Sequence, residues 1–366
     1  MSNVVRFAAA ARSSRVPAPQ GGLAALLAAV ATGRRREGDA FWLKENAELL
    51  GILAALRVVV PAEALVAYAP FHDSLPERMA FHPQYYRMLL GLAVALRDLG
   101  QPGDMAERLA ASVAAGGWID SEVNDLQRAE SRYLLARSGQ RIELPGLDDR
   151  LRGFMARPET FALPNPRAAY DLLHAIFYLS EYGRRPFSLD ENARAALDNL
   201  GNLACLDGDG DLLAEVCIAL RYCGEDLPAL WQDMVVAEAQ AFRVEPGYGA
   251  DYSDSYHNYL VNQWLIGTIG ITAFGDRFPA GPMTFKLIRS PVAPLREWSQ
   301  ALLTLGERRR ADYAVMRAAC APRLSPAALA AADRAAEASP GFERFFATFA
   351  RPAAASPGPV LLRRGA

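Results

Sequence analysis

Hydrophobic and polar positions repeat along this chain with a period near forty residues. Six apolar segments of helical pattern each end in a short turn, and their last residues are Arg57, Gly100, Gly139, Gly183, Gly224 and Gly270. The intervals of 43, 39, 44, 41 and 46 residues leave room for a return helix each time. Periods of this size are typical of stacked helical hairpins. The pattern therefore predicts an all-α protein of α/α hairpin repeats, a six-hairpin toroid or, as the alternative, a short open α-solenoid.

The ends of the chain differ from its middle. Residues 1–21 and 351–366 are rich in Ala, Ser and Pro, so we expect a flexible N-terminal arm and a flexible C-terminal tail. Residues 22–350 read as one repeat domain. Helix-start signals occur at Asp190 and at Ser325, which precedes a proline.

Composition excludes several classes of protein. The net charge of -2 and the pI near 6.2 argue against nucleic acid or an anionic membrane as the main partner. Arg6 and Arg12 interrupt the apolar N-terminus, and no run of about 18 apolar residues follows, so we expect a cytoplasmic protein without a membrane span. The four cysteines form no C-x-x-C pair, which favours free thiols over a zinc ribbon.

Polar residues interrupt the apolar helices at matching positions. Nine residues before the six segment ends stand Glu48, Gly91, Glu130, His174, Glu215 and Val261. Thirteen before them stand Lys44, Arg87, Leu126, Tyr170, Asp211 and His257. Positions four apart share one helix face, and charged residues are rarely buried without partners. The stripe therefore predicts a polar lumen or cleft, with Glu48 and Glu130 as salt-bridge partners of Lys44 or Arg87.

The densest chemistry lies in the later repeats. His174, Glu215 and His257 come from three successive repeat helices, and such a set can hold a divalent metal ion (zinc, manganese or iron) with an open position. The same groups can also work without metal, a carboxylate acting as base and a histidine as acid. Asp171 or Asp211 would then orient a histidine. Glu215, Asp171 and Asp211 are thus the candidate catalytic carboxylates.

An aromatic and acidic loop precedes the helix of His257. Tyrosine offers flat contact area together with a hydrogen bond, which suits an organic or peptide ligand. The candidate substrate-binding residues here are Tyr252, Tyr256, Asn258 and Asn262.

Two other patterns are interpreted as structural. The run from Asp207 to Asp211 begins like a calcium loop but has Leu212 in place of the required glycine, so we expect it to cap the following helix. The arginine triplets 34–36 and 308–310 are interpreted as solvated helix ends. No P-loop, dinucleotide fingerprint or G-x-S-x-G motif occurs.

Residues 165–270 resemble an uncharacterised family of bacterial helical proteins. The resemblance rests on DLLHAIFYLSEYGRR, DLLAEVCIALRYCG and YHNYLVNQW, which match an H-x-I-F-Y-L-T-D-F-G-like block and a later Y-H-x-x-x-V block. Ser180-Glu181-Tyr182 replaces the family's Thr-Asp-Phe. The resemblance implies a tailoring or accessory role near genes of specialised metabolism. It supports His174, Glu215 and His257 as a site and names no reaction.

These observations leave more than one function open. The first hypothesis is an enzyme of bacterial specialised metabolism that acts on a peptide or small molecule at a central His/carboxylate site, with a possible metal ion. The alternative is a non-catalytic helical-repeat protein that binds a peptide or a partner enzyme. A metal-free carboxylate enzyme such as a glycosidase is disfavoured, because no carboxylate pair stands apart from the histidines.

Overall fold

The computed structural model describes residues 22–248, 254–275, 277–288 and 293–352, and these are almost entirely helical, which confirms the all-α class. The expected arm at 1–21 and most of the expected tail, from residue 353, lie outside the described residues. The helices are α1 (Leu23–Ala28), α2 (Ala40–Ala55), α3 (Ala62–Leu65), α4 (Ala69–Phe81), α5 (Tyr86–Asp98), α6 (Met105–Ala115), α7 (Asp125–Arg137), α8 (Leu147–Met155), α9 (Pro158–Phe161), α10 (Pro166–Leu179), α11 (Glu191–Asp207), α12 (Gly210–Tyr222), α13 (Ala229–Ala241), α14 (Tyr256–Thr268), α15 (Pro294–Leu305), α16 (Tyr313–Cys320), α17 (Pro326–Ala338) and α18 (Phe342–Phe349).

Six of these helices correspond to the six repeated segments, and we call them the inner helices: α2, α5, α7, α10, α12 and α14. Each inner helix contacts the next one in chain order, and α14 contacts α2. Helices between them pack against this series, such as α6 on α5, α8 on α7 and α13 on both α12 and α14. Alternation of inner and return helices is what the forty-residue period predicts.

The inner helices end in the same local structure. The last residue of each repeat has a positive φ, from 55° at Arg57 to 104° at Gly100. In five repeats the next amide donates to the carbonyl five residues back, as from Gln101 to Leu96 at 2.9 Å. This Schellman closure favours glycine, because glycine adopts the left-handed region without a steric penalty. A shared ending gives the six helices a shared register, which is why alignment on their last residues is informative.

A short antiparallel sheet joins distant parts of the chain. Strand β1 (Arg243–Pro246) pairs with β2 (Met283–Lys286), and Arg243 lies opposite Lys286. Phe285 of β2 stacks on Tyr259 of α14 with ring centroids 4.7 Å apart. The sequence pattern did not predict these strands, since four residues are too few to show an alternation of polar and apolar side chains.

The C-terminal helices α15, α17 and α18 pack against α11. Both helix-start signals are confirmed: Asp190 accepts a hydrogen bond from the Ala193 amide at 2.8 Å, and Ser325 accepts one from the Ala328 amide at 3.1 Å. Within the described residues, no helix combines the length and the apolar character needed to cross a lipid bilayer.

Candidate functional site

A cavity of about 790 Å³ lies between the inner helices. All six residues at the position nine before a repeat end line this cavity: Glu48, Gly91, Glu130, His174, Glu215 and Val261. Five of the six residues at the position thirteen before it also line the cavity, namely Lys44, Arg87, Tyr170, Asp211 and His257, whereas Leu126 does not. The stripe seen in the sequence thus corresponds to the wall of one cavity.

Farther along the inner helices the cavity wall is aromatic. Tyr133, Phe177, Tyr178, Tyr182 and Trp264 all line it, and their rings contact one another. The rings of Phe177 and Trp264 are 5.0 Å apart, and those of Tyr182 and Trp264 are 5.9 Å apart. The Trp264 indole donates to the hydroxyl of Tyr222 at 2.8 Å. This set, called the aromatic wall below, offers flat apolar area to a ligand.

Tyr182 occupies an unusual backbone position in that wall. Glu181, Tyr182 and Gly183 have φ values of 50°, 54° and 75°, so three consecutive residues are left-handed. For residues other than glycine this conformation costs on the order of 1 kcal/mol each. Stacking of the Tyr182 ring on Phe177 and Trp264 holds the segment in place.

His257 lies between two carboxylates from neighbouring helices. Its Nδ1 is 3.3 Å from Glu48 Oε2, and its Nε2 is 3.3 Å from Asp211 Oδ2. Burial alone would lower the pKa of His257, but the contacts and negative charges of Asp211 and Glu48 outweigh burial and raise the pKa to about 11. His257 is therefore an imidazolium ion at neutral pH, with a carboxylate oxygen near each ring nitrogen.

Glu215 lies one turn beyond Asp211 on α12. Burial, together with the negative charge of Asp211, raises the pKa of Glu215 to about 8, and the positive charge of His257 offsets only part of this. Its carboxyl group forms no ion pair within the described parts of the chain. Glu215 is thus a protonated carboxylic acid at neutral pH that faces the cavity.

His174 has the opposite protonation behaviour to His257. Its Nδ1 is 3.0 Å from the carbonyl oxygen of Tyr170, which can only accept, so Nδ1 carries the proton. The Tyr170 ring stacks on the imidazole with centroids 3.7 Å apart. Burial lowers the pKa of His174 to about 4, so the ring is neutral and Nε2 keeps its lone pair.

The wall formed by α2, α5 and α7 carries paired charges. Arg87 is 2.8 Å from Glu122 and forms a close ion pair with Glu130. Lys44 Nζ lies 3.7 Å from Glu48. Burial raises the pKa of Glu130 despite the opposing charge of Arg87. The predicted salt bridges of Glu48 and Glu130 are therefore present in this wall.

Asp171 does not have the geometry expected of an orienting residue. It forms an ion pair with Arg167 at 3.0 Å, one turn earlier on α10, and does not line the cavity. The carbonyl of Tyr170 orients His174 instead. Asp211 has the expected geometry, because it contacts His257 directly.

The predicted substrate-binding residues are not brought to the cavity. Asn262 is buried and donates to Glu238 of α13 at 3.2 Å and to the carbonyl of Asn258 at 2.8 Å. Asn258 and Tyr256 do not line the cavity either, and Tyr252 lies outside the described residues. The aromatic wall supplies the ligand-facing rings instead, and the sequence signal for it was an aromatic residue near the end of repeats three, four and six.

Arg34 corrects the expectation that its triplet is solvated. Its side chain is fully buried and lies 2.9 Å from Glu45 and 2.6 Å from Asp254. It also donates to the carbonyl of Met283 in β2 at 2.6 Å. These contacts tie α2 and β2 to the segment that leads into α14, directly before His257. Arg36 of the same triplet is exposed, as predicted.

The Asp207–Asp211 run caps a helix, as expected. Asp209 accepts a hydrogen bond from the Leu212 amide at 3.2 Å, at the N-terminus of α12. Across the described ranges, no group of three or more His, Cys, Asp or Glu side chains is arranged to hold a metal ion. The metal set of His174, Glu215 and His257 stays a prediction.

Fold and site together define an all-α hairpin-repeat protein with a polar cavity between its inner helices. The chain belongs to the family described as "Domain of unknown function (DUF6902)", whose sequence pattern matches residues 1–352. The comparison with curated proteins and the comparison with solved structures give no match.

Proposed function

We propose that the inner helices close into an α/α toroid and that the cavity is the active site of an acid–base enzyme for a small organic molecule or peptide segment. The toroid is supported by the contacts of consecutive inner helices and of α14 with α2. The observation that carries the enzymatic proposal is the placement of His174 and Glu215 on the wall of the same cavity, in opposite protonation states. Paired groups whose environments separate their pKa values are typical of acid–base catalysts.

Each group then has a defined role in proton transfer. Neutral His174 accepts a proton from the substrate at Nε2, since Nδ1 is held by the Tyr170 carbonyl. Protonated Glu215 donates its proton to a substrate oxygen or nitrogen. The two transfers leave an imidazolium and a carboxylate, and proton return to Glu215 restores the starting state. General acid–base groups in such positions contribute roughly 10²- to 10⁴-fold to a rate.

His257 has a different role in this scheme. Because Glu48 and Asp211 hold it as an imidazolium ion, it does not exchange protons with a substrate near neutral pH. Its positive charge lies between two carboxylates beside the cavity. Asp211 is therefore a positioning residue for His257 in this proposal.

The metal-dependent form of the enzyme lacks support of this kind, because each ring nitrogen of His257 lies 3.3 Å from a carboxylate oxygen. Zinc, manganese or iron at His174, Glu215 and His257 would require these contacts to rearrange. A tailoring role in specialised metabolism rests on the family resemblance alone and remains a prediction, as does a cytoplasmic location.

The test is a conversion screen on purified protein. A library of small metabolites and short peptides is incubated with the wild type, Glu215→Gln and Asp171→Asn, and consumption is followed by mass spectrometry with and without a chelator. We expect substrates that the wild type and Asp171→Asn convert equally and that Glu215→Gln converts at least about 100-fold more slowly. Asp171 is the matched control because it lies outside the cavity.

Two results would contradict the proposal. Undiminished conversion by Glu215→Gln would show that Glu215 is not the catalytic acid. Loss of conversion on chelation, with recovery on adding zinc or manganese, would favour the metal site. Ligand binding without conversion of any compound would favour the non-catalytic binding protein.

A further inference from the structure

The lining of the cavity changes from polar to apolar along the inner helices. At the positions thirteen and nine before the repeat ends, most lining residues are ionisable, as Lys44 and His257 are. At the positions six and five before the ends, nine residues line the cavity and none carries a formal charge, as with Val94, Phe177 and Trp264. The cavity therefore has a polar half towards the N-terminal ends of the inner helices and an apolar half towards their C-terminal ends.

The polar half is the more exposed of the two. The Lys44 side chain is 56% exposed, and Tyr170 is 46% exposed. In the apolar half, Phe177 is 1% exposed and Trp264 is 6% exposed. A ligand that enters from solvent therefore passes the polar half before it reaches the apolar half.

Arg184 crosses the deep end of the cavity. It follows α10 in the chain, and its guanidinium group donates to the carbonyl of Ala54, near the end of α2, at 2.6 Å. In the series of contacts between inner helices, α2 lies three helices from α10 in either direction. The Arg184 side chain thus reaches from one side of the cavity to the opposite side.

The charged groups at this end have partners within the protein. Arg184 lies 4.0 Å from Asp98, which also lines the cavity. Asp98 in turn lies 2.9 Å from Arg97 and forms a close ion pair with Arg137. We therefore treat this end as a floor that limits the depth of the cavity.

Open space of limited length lies above this floor. A Cβ atom added at Gly51, six residues before its repeat end, would meet nothing within 4 Å. Gly91 stands at the position of α5 that is equivalent to His174 and Glu215, and Asp98 follows Gly91 by seven residues. At a helical rise of about 1.5 Å per residue, these two levels lie about 10 Å apart. An extended chain advances about 1.2 Å per atom, so this length holds about eight chain atoms.

We infer that the ligand of this cavity is a molecule with one polar head group and an apolar tail up to about eight atoms long, and that the tail enters first. The head group lies at the level of His174 and Glu215. The tail lies along Phe177 and Trp264 and ends at Arg184. Each methylene group buried in the apolar half adds to the affinity until the tail reaches the floor. This inference rests on the proposed active site for the position of the head group, and it names the substrate class.

The experiment uses the linear alkan-1-ols from butan-1-ol to decan-1-ol as probes, because they share one neutral head group. Their affinities for the full chain are measured by isothermal titration calorimetry. We expect the affinity to rise about threefold per methylene group up to about octan-1-ol, since that is the range expected for burial of a methylene group. Decan-1-ol should bind no more tightly than octan-1-ol. Hydrophobic adsorption to the protein surface would show no such limit.

A variant that fills the apolar half locates the tail. Gly51→Leu adds a side chain between the head-group level and the floor, so it should weaken octan-1-ol at least about tenfold and change butan-1-ol less than about twofold. Gly153→Leu is the matched control, because Gly153 is an exposed residue of α8 at which an added Cβ atom would also meet nothing within 4 Å. It should change neither affinity.

A second variant opens the floor. Arg184→Ala removes the side chain that crosses the deep end, so decan-1-ol should now bind at least about threefold more tightly than octan-1-ol. Arg185→Ala is the control, since Arg185 is exposed, and it should keep the limit of the wild type.

Several results would overturn the inference. These are an affinity that rises without a limit up to decan-1-ol, no binding of octan-1-ol by the wild type, equal weakening of butan-1-ol and octan-1-ol by Gly51→Leu, and an unchanged limit in Arg184→Ala. Failure of the proposed function gives a different result. A limit near octan-1-ol without conversion of any compound would keep the tail site and remove the enzyme, whereas conversion of compounds without any limit on tail length would do the reverse.

Discussion

In two neighbouring clusters of this molecule a cation lies between two carboxylates, and a second cation, Arg35 or Lys44, contacts one of the two carboxylates. In the first cluster, Arg34 lies between Glu45 and Asp254. In the second cluster, His257 lies between Glu48 and Asp211 of α12. Glu48 follows Glu45 by three residues on α2, and His257 follows Asp254 by three residues. The Arg34 side chain is 0% exposed, whereas the His257 side chain is 37% exposed and lines the cavity. We call the Arg34 cluster the closed cluster, because it is buried, and the His257 cluster the open cluster, because it faces the cavity.

The two clusters show how a similar arrangement of charges can stabilise the fold in one place and belong to a candidate active site in another. An arginine between Glu45 and Asp254 stays charged at every accessible pH, so the closed cluster can only hold elements together. A histidine in the same setting can release its proton, although the pKa of His257 is raised to about 11, and its neighbours on the cavity wall, Glu215 and His174, have pKa values of about 8 and about 4. Access to the cavity and the ability to change protonation distinguish the candidate site from its structural neighbour.

The largest effect is expected in the closed cluster. Arg34→Met leaves Asp254 buried without its cation and leaves Glu45 with Arg35 alone, and breaking such a buried pair costs about 3–5 kcal/mol. Urea unfolding of this variant should show that loss of stability. Arg36→Met is the control, since Arg36 is exposed, and should stay within about 0.5 kcal/mol of the wild type. A loss below about 1 kcal/mol for Arg34→Met would mean that the cluster is not structural.

A smaller effect is expected in the open cluster. His257→Gln removes charged contacts that the cavity can partly replace by hydration, so we expect a loss of roughly 1–2 kcal/mol at pH 6. Because the folded-state pKa of His257 is raised, its stabilisation is complete below about pH 6.5 and declines as the pH rises towards 11. The difference between wild type and variant should shrink accordingly.

Unfolding at several pH values measures this difference, with His82→Gln as an exposed control. A stability difference between the wild type and His257→Gln that grows from pH 6 to pH 10 would contradict a raised pKa of His257.

The third effect is a gain in stability. The raised pKa of Glu215 means that its ionisation destabilises the fold, and this penalty appears as the pH rises from about 4.5 to about 8. Glu215→Gln removes the penalty, so we expect a gain of at least about 1 kcal/mol at pH 8 and little change at pH 4.5. Glu143→Gln, at an exposed position, should show neither change. Equal effects of Glu215→Gln at both pH values would contradict a raised pKa.

The repeat predicted the cavity wall well for a physical reason. The six inner helices end in related left-handed turns, so counting back from these ends places residues at equal depths. The predicted site residues that do not line the cavity lie off the stripe. Asp171 and Asn258 both stand twelve residues before a repeat end, which turns them about 100° around the helix from the position thirteen before it. The helical periodicity of the sequence could therefore have shown that Asp171 and Asn258 lie on a different helix face from the cavity residues.

Other features could not be read from the chain in this way. The burial of Arg34 depends on Asp254 and on the Met283 carbonyl, which are more than 200 residues away in sequence. The pairing of β1 with β2 likewise depends on contacts between residues 37 to 43 positions apart. Protonation states of His174 and His257 depend on burial and on the partner of each ring nitrogen, so equivalent-looking histidines became opposite in character.

The most direct test of the central claim is an NMR titration of the four histidine rings, with His174→Gln and His257→Gln used to assign the two cavity signals. We expect the His174 ring to remain neutral down to about pH 4 and the His257 ring to remain protonated up to about pH 11. Titration of both rings near pH 6.5 would show that the cavity does not separate their pKa values, and it would contradict an acid–base site built on that separation.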